Sequence, residues 1–176
     1  MIKKISKNIV NETMGNQQET ISDIEKSWLA GILDGEGSIG ISRLMSHRKN
    51  PTLTPRISIG NTNMKIINHV REILEKIPIT MFIEKCQKVE NKNWKQASVI
   101  QISHIIGVKK LLDVVTPFLI GKREQAEILL SFVNSRIKIY KSLNRIPGNG
   151  GRGTPYTDEE IKLCYQLKIL NKKGIK

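Results

Sequence analysis

Two carboxylates, Asp34 and Glu36, stand two residues apart in the segment WLAGILDGEGSIGI (residues 28–41). The apolar spacing before them predicts a helix, so both lie at its carboxyl end, where the helix dipole disfavours negative charge. Carboxylates in that place require a cation, and hard oxygen ligands suit Mg²⁺. On a basic chain this arrangement predicts a metal ion brought to a phosphodiester. The alternative is an exposed acidic turn without chemistry.

Gly31 and Gly35 are four residues apart, and they share one face of the same predicted helix. A glycine inside a helix costs about 1 kcal/mol relative to alanine, so two on one face require a reason. A glycine surface lets a second backbone approach closely. The stripe therefore predicts tight packing against another helix.

The chain is strongly basic, with 29 Lys and Arg against 16 Asp and Glu and a formal net charge of +13. This excess attracts polyanions, and nucleic acid is the first partner to consider. No apolar run approaches the roughly 20 residues that span a bilayer, so no membrane partner is expected. Cys86 and Cys164 lack the spacing of a structural zinc site, which favours a reducing, intracellular compartment.

Hydrophobic periodicity predicts an α+β fold of order αββαββαα followed by a C-terminal helix. The predicted strands cover residues 37–44, 54–61, 79–89 and 94–102. The predicted helices run from Ser22 or Asp23 to Gly35, from Asn61 or Asn63 to Ile77, and over about 106–115, 122–140 and 158–170. Two hairpins then form one antiparallel sheet with helices packed on one of its faces.

Composition divides the chain into three parts. Residues 1–22 are polar and predicted to form a flexible arm, and residues 23–143 form the core. The Gly- and Pro-rich stretch NRIPGNGGRGTPY opens the last part, 144–176, as a linker before the final helix. That helix either completes the fold or reaches across a dimer.

The sheet face without helices is the predicted DNA-contact surface, because its side chains are hydrogen-bonding and cationic types. An ordinary solvated face is the alternative. The predicted contacts comprise strand positions and the basic turn of the first hairpin: Gly40, Ser42, Arg48, Lys49, Arg56, Ser58, Lys85, Gln87 and Lys95.

The segment LAGILDGEG (29–37) closely resembles the LAGLIDADG motif of a family of homing endonucleases. The following SIGIS is similar to the family's first strand. ISIGNTNMKIINHVREIL (57–74) resembles its second strand and helix, and TPFLIGKREQAEILL (116–130) resembles its later helix entry. The matches keep their order within residues 24–140. The resemblance implies a saddle of antiparallel strands over DNA.

The resemblance also implies roles for single residues. Glu36 takes the place of the essential metal-binding carboxylate, where aspartate is commoner, and the backbone carbonyl of Gly35 is a second metal contact. Asp34 has a structural role at the helix end. Asn61, at the end of the second strand, helps to position water. The basic residues near the scissile phosphate are Lys65 and Lys122.

One copy of the motif implies a homodimer with twofold symmetry, whose interface contains Trp28, Gly31, Ile32 and Gly35. The expected activity is cleavage of both strands of a long, pseudo-palindromic DNA site with Mg²⁺, leaving 3′ overhangs and promoting intron mobility. Mn²⁺ or Ca²⁺ can occupy the same sites. The alternatives are an intron RNA maturase, alone or as a second role, and a DNA-binding regulator without catalysis. An organelle gene, of chloroplast or mitochondrion, and a bacterial one remain equally open.

Overall fold

A computed structural model describes residues 20–44, 52–85, 96–146 and 154–172. The helices are α1 (Asp23–Glu36), α2 (Met64–Glu75), α3 (Ile105–Val115), α4 (Arg123–Ser142) and α5 (Asp158–Leu170). The strands are β1 (Gly37–Leu44), β2 (Thr52–Asn61), β3 (Phe82–Lys85) and β4 (Ser98–Ile102). Most of the predicted N-terminal arm and four predicted DNA contacts, Arg48, Lys49, Gln87 and Lys95, lie outside the described residues.

The four strands form one antiparallel sheet in the order β1-β2-β4-β3. Alternate side chains of the strands enter a core shared with α1, α2, α3 and α4, and among them are Ile39, Ile57, Ile59, Ile100 and Ile102. Because strand residues alternate between faces, the intervening side chains form the opposite, helix-free face. The predicted α+β class and element order are confirmed.

Local signals at the helix ends explain where the helices begin. Ser22 forms a capping box with Glu25, and Thr157 forms one with Glu160. The side chain of Asn63 caps α2. At the other end of α1, a Cβ on Gly37 would collide with the side chain and carbonyl oxygen of Leu33. This close approach lets the chain pass from helix into strand without a loop.

The two hairpins differ from the prediction in their boundaries. β2 starts at Thr52 rather than at 54, because Leu53 is buried and its backbone groups find a partner. β3 starts at Phe82 rather than at 79, since the amide of Ile79 bonds to the carbonyl of Ile77 in a tight turn after the helix. The run ITMFI (79–83), apolar except for Thr80, gave no signal for this start.

The C-terminal helix packs on the body of its own chain, against α4 and β1. Its anchor is a buried ion pair between Arg136 and Glu160, with 3.3 Å between the charged atoms. Ser135 donates a further bond to the Glu160 carboxylate at 3.0 Å. No helix in the described part of the chain is long and apolar enough to cross a membrane.

Candidate active site and nucleic-acid interface

The carboxyl end of α1 is fixed by the side chain of Asp34. Its carboxylate accepts hydrogen bonds from the backbone amides of Ile120, Gly121 and Lys122, at 2.8, 3.1 and 2.9 Å. These three amides lie just before α4, so one carboxylate joins two elements that are distant in sequence. With its oxygens occupied by three donors, Asp34 serves as an anchor and is poorly placed to ligate a metal ion.

The cation at this helix end is the ammonium of Lys122. It donates to the carbonyl of Leu33 at 3.0 Å and, by a short bond, to the carbonyl of Asp34. These are carbonyls of the last turn of α1, where the helix dipole favours positive charge. Lys122 was predicted to lie near the scissile phosphate; in the structure it holds the end of the helix that carries Glu36.

Asp34 is expected to contribute to stability in a pH-dependent way. Burial raises the pKa of its carboxyl, but the three amide bonds and the charge of Lys122 outweigh burial and hold the pKa below its usual value. Its stabilisation is then complete above the unfolded-state pKa near 4 and is lost as the pH falls through the folded-state value.

Replacing Asp34 by Asn should lower the free energy of unfolding by about 2 kcal/mol at pH 7, because an amide cannot accept three N–H bonds. The difference from wild type should stay constant above about pH 5 and shrink below about pH 4. Denaturant unfolding between pH 3 and pH 7 measures it. Glu25 has its pKa lowered to about 2 by hydrogen bonds from Ser22 and Lys76. Because Glu25 titrates in both proteins, its contribution cancels in the difference between them.

The matched control is Asp113→Asn, because Asp113 lies on the surface, where it forms an ion pair with Lys109. Such a pair contributes under about 1 kcal/mol. Equal losses for the two variants would show that Asp34 does not anchor the helix end.

Glu36 is the last residue of α1, and its side chain is exposed, as is Gly35 before it. Unlike Asp34, the Glu36 carboxylate has no hydrogen bond or ion pair with any residue that the structure describes. Within the same residues, no group of three His, Cys, Asp or Glu side chains could hold a metal ion alone. The predicted metal position thus presents one uncommitted carboxylate to solvent.

Asn61 and Lys65 lie at the same end of the sheet as Glu36. Gly37 pairs with Ile59, so residues 60 and 61 continue alongside the end of α1. The Oδ1 atom of Asn61 accepts from the amide of Asn63 at 2.8 Å, which leaves its Nδ2 hydrogens for other acceptors. Lys65 is exposed in the first turn of α2. Strand register therefore directs Asn61 towards the end of α1, and Lys65 follows four residues later along the chain.

The helix-free face of the sheet is polar along β1 and β2. Register pairs Gly40 with Arg56, Ser42 with Thr54, and Ser38 with Ser58. Arg56 is exposed there. Register therefore puts the predicted contacts Gly40, Ser42, Arg56 and Ser58 on one face, and at Gly40 a Cβ would lie 3.6 Å from the Nδ2 atom of Asn171.

The register of the second hairpin shows which residues of β3 and β4 lie on the open face of the sheet. Lys85 pairs through its backbone with Ser98, and its side chain, a predicted DNA contact, lies outside the part of the chain that the structure describes. On the open face, Phe82 is 53 % exposed and pairs with Gln101. Gln101 pairs in turn with Ser58 on its other side. Sequence reasoning missed Gln101 and Phe82, although the alternation SVIQI gave a signal for Gln101.

One side of α1 has little packed against it. Ile24 is 82 % exposed, and a Cβ added to Gly31 or Gly35 would have nothing within 4 Å. These residues and Trp28 lie within about 60° of one another around the helix. Trp28 is half-buried against the ring of His69, with 4.5 Å between ring centroids. Ile32 is half-buried beside these residues.

Comparison of the sequence with protein-family models gives no match, and comparison with curated proteins gives none either. Solved structures of LAGLIDADG homing endonucleases share the fold. The archaeal intron-encoded I-Vdi141I, complexed with DNA, aligns with a TM-score of 0.61 at 20% identity, over 88% of each chain. I-CvuI, complexed with DNA in the presence of Mg, gives 0.58 at 18% over 87% of this chain and 86% of that one.

A third structure aligns differently. The meganuclease I-SmaMI, bound to DNA, gives a TM-score of 0.59 at 15% identity over all of this chain and 49% of its own. The fold of this chain thus corresponds to nearly the whole of two neighbours and to half of the third.

Proposed function

We propose that this chain is a site-specific DNA endonuclease that cleaves both strands of a duplex as a symmetric homodimer, with divalent metal ions. The observation that carries the proposal is the exposed, uncommitted carboxylate of Glu36, held by a fixed helix end beside the open sheet face. The net charge of +13 attracts DNA to the chain. The neighbours I-Vdi141I, I-CvuI and I-SmaMI, which share the fold, are bound to DNA.

The open face suits the major groove of a duplex. A two-stranded ribbon fits this groove, and Arg, Gln, Ser and Thr side chains can donate to or accept from base edges. These groups come from two neighbouring strands, Thr54, Arg56 and Ser58 on β2 and Gln101 on β4. The exposed ring of Phe82 adds an apolar contact of the kind that thymine methyl groups accept.

The residues present fit a divalent ion such as Mg²⁺, which commonly binds one or two protein carboxylates and completes its shell with phosphate oxygens and water. Glu36 and the carbonyl of Gly35 would hold it. When bound, the ion supplies charge stabilisation for hydrolysis of the phosphodiester. Mn²⁺ and Ca²⁺ suit the same oxygen ligands, and a second I-CvuI complex was obtained with Ca.

The chain's own residues then position the reactants. Asp34 and Lys122 hold the end of α1, so that Glu36 stays beside the scissile phosphate. The free hydrogens of Asn61 Nδ2 donate to water or to phosphate, and the exposed ammonium of Lys65 neutralises phosphate charge. Hydrolysis adds the hydroxyl of water to phosphorus and returns its proton to the leaving 3′ oxygen, without a covalent intermediate.

Twofold symmetry follows from the need to cut two strands. One chain presents one Glu36. On the stripe of Ile24, Trp28, Gly31 and Gly35, Ile24 is exposed and a Cβ at either glycine would meet nothing within 4 Å in the described part of the chain. Packing this stripe, with Ile32 beside it, on its symmetry mate forms an isologous interface and brings two Glu36 carboxylates to the axis. I-SmaMI is long enough to contain two units of this size in one chain.

A symmetric dimer reads a pseudo-palindromic site, and we propose that its cuts leave 3′ overhangs and promote the mobility of an intron. The chain would act inside the cell, in a reducing compartment. Selection of bound duplexes from a randomised pool, with intron-containing RNA as competitor, tests this function. Enrichment of one long near-palindrome is expected. Preferential retention of the RNA would favour a maturase instead.

Gln101 gives a prediction at the level of single bases. Glutamine pairs well with adenine, whereas arginine pairs with guanine, and a good pair contributes about 1–3 kcal/mol of discrimination. Gln101→Arg should therefore change the preferred base from A to G at one position in each half-site. The same duplex selection measures this change. Gln125→Arg, on α4, is the control and should leave the selected site unchanged; the same outcome for Gln101→Arg would exclude it from the interface.

A further inference from the structure

The first hairpin of the sheet extends beyond its neighbours. β4 pairs with β2 only over Ile57–Asn61, so residues 52–56 of β2 have β1 on one side and, among the described residues, no strand on the other. A hairpin of two strands is marginally stable without further packing. We define residues 37–44 and 52–56 as the arm; its open face carries Ser42, Thr54 and Arg56.

A tyrosine takes the place of the missing strand. The hydroxyl of Tyr156 accepts from the amide of Leu53 at 2.9 Å and donates to the carbonyl of Leu53 at 3.2 Å. In an antiparallel ladder the backbone groups of alternate residues point to the same side, so the next residue on this side is Pro55. Pro55 has no N–H to leave unpaired, which is why proline suits this edge.

Tyr156 is itself firmly held. Its ring stacks on Phe132, with 6.4 Å between centroids, and the guanidinium of Arg136 lies 4.6 Å from its ring centre. Arg136 is buried, pairs with Glu160 and donates to the carbonyl of Pro155 at 3.1 Å. Burial raises the pKa of Tyr156, so its hydroxyl keeps the proton that it donates at physiological pH.

We propose that Tyr156 is a positioning residue for DNA recognition, which holds the arm in the geometry that reads the outer part of each half-site. The proposal rests on the proposed function. The arm runs from Gly37, beside Glu36, to Leu44, and these seven residue-to-residue steps span about 24 Å at the strand rise. Its far end therefore lies several base pairs from the cleaved phosphate. Base readout requires contacts held within about 0.5 Å, which an unsupported hairpin does not provide.

The test compares Tyr156→Phe with wild type on a panel of targets that carry one mismatched base pair each. The variant keeps the ring and loses both bonds to Leu53. The penalty for a mismatch in the outer positions should be at least about threefold smaller in Tyr156→Phe than in wild type, because each mismatch penalty depends on a well-placed contact. Penalties at central positions and the cleavage rate at saturating enzyme should match wild type. Tyr165→Phe, on the exposed side of α5, is the control and should match wild type throughout.

A uniform change across the panel, or none, would overturn the positioning role while leaving the endonuclease intact. If wild type itself shows no specific target, the proposed function fails and the positioning role fails with it. If Tyr156→Phe does not fold, the rate of hydrogen exchange at the Leu53 amide of the wild type tests the contact with Tyr156 instead. Protection comparable to that of Ile57 is expected, and exchange at the rate of an open loop would contradict the contact.

Discussion

Glu36→Gln is expected to lower the rate of double-strand cleavage at least about a thousandfold, with little change in affinity for the target duplex. Glutamine has the same shape but lacks the negative charge that a divalent ion requires. The carboxylate is exposed and makes no bond to the described part of its own chain, so the fold should not depend on it. Single-turnover cleavage and duplex binding, measured on the same target, separate the two effects.

Glu127→Gln, on the exposed side of α4, removes the same charge away from the site and should cleave like wild type. Retention of more than about a tenth of the activity by Glu36→Gln would place the essential carboxylate elsewhere. Loss of binding together with cleavage would assign Glu36 to the DNA contact rather than to the reaction.

Gly31→Met is expected to have opposite effects on the single chain and on the dimer. A side chain at Gly31 meets nothing within 4 Å in the chain, and replacing a helical glycine stabilises the helix by about 1 kcal/mol. At a twofold interface the added side chain occurs twice and obstructs the approach of the partner helix. Self-association should weaken by about a hundredfold or more, and double-strand cleavage should fall with it.

Sedimentation equilibrium measures the association, and thermal unfolding measures the stability of the chain. Asn134→Met, at an exposed position on α4, is the matched control and should leave association unchanged. A Gly31→Met protein that still associates and cleaves like wild type would exclude this face of α1 from the dimer.

The elements of the fold were predictable because their signals are local. Caps at Ser22, Asn63 and Thr157 and the 3.6-residue periodicity of the apolar side chains determine where each helix begins. The face of the sheet on which each residue of β3 lies was not predictable in this way. At the edge of the sheet both Phe82 and Ile83 are about half exposed, and the apolar run shows no alternation.

The candidate site was predictable in its residue types and only partly in its geometry. Glu36 follows from the motif alone. The bonds from residues 120–122 to Asp34 join positions 86 to 88 residues apart, and only tertiary packing brings them together. The sequence predicted Lys122 near the phosphate but gave no sign of the bonds from its ammonium to the last turn of α1. The bonds between Tyr156 and Leu53 also join distant positions, and the proline at position 55 was the one local indication that this strand edge has no neighbouring strand.

The central claim is tested most directly by incubating the wild-type chain with a randomised or host-derived duplex library and Mg²⁺ and sequencing the cut ends. If this claim holds, paired cuts appear on both strands at one long, near-palindromic site with staggered 3′ ends, and no cuts appear in the presence of a chelator. Specific binding to duplex without any cut would contradict it, and would make this chain a DNA-binding protein without nuclease activity.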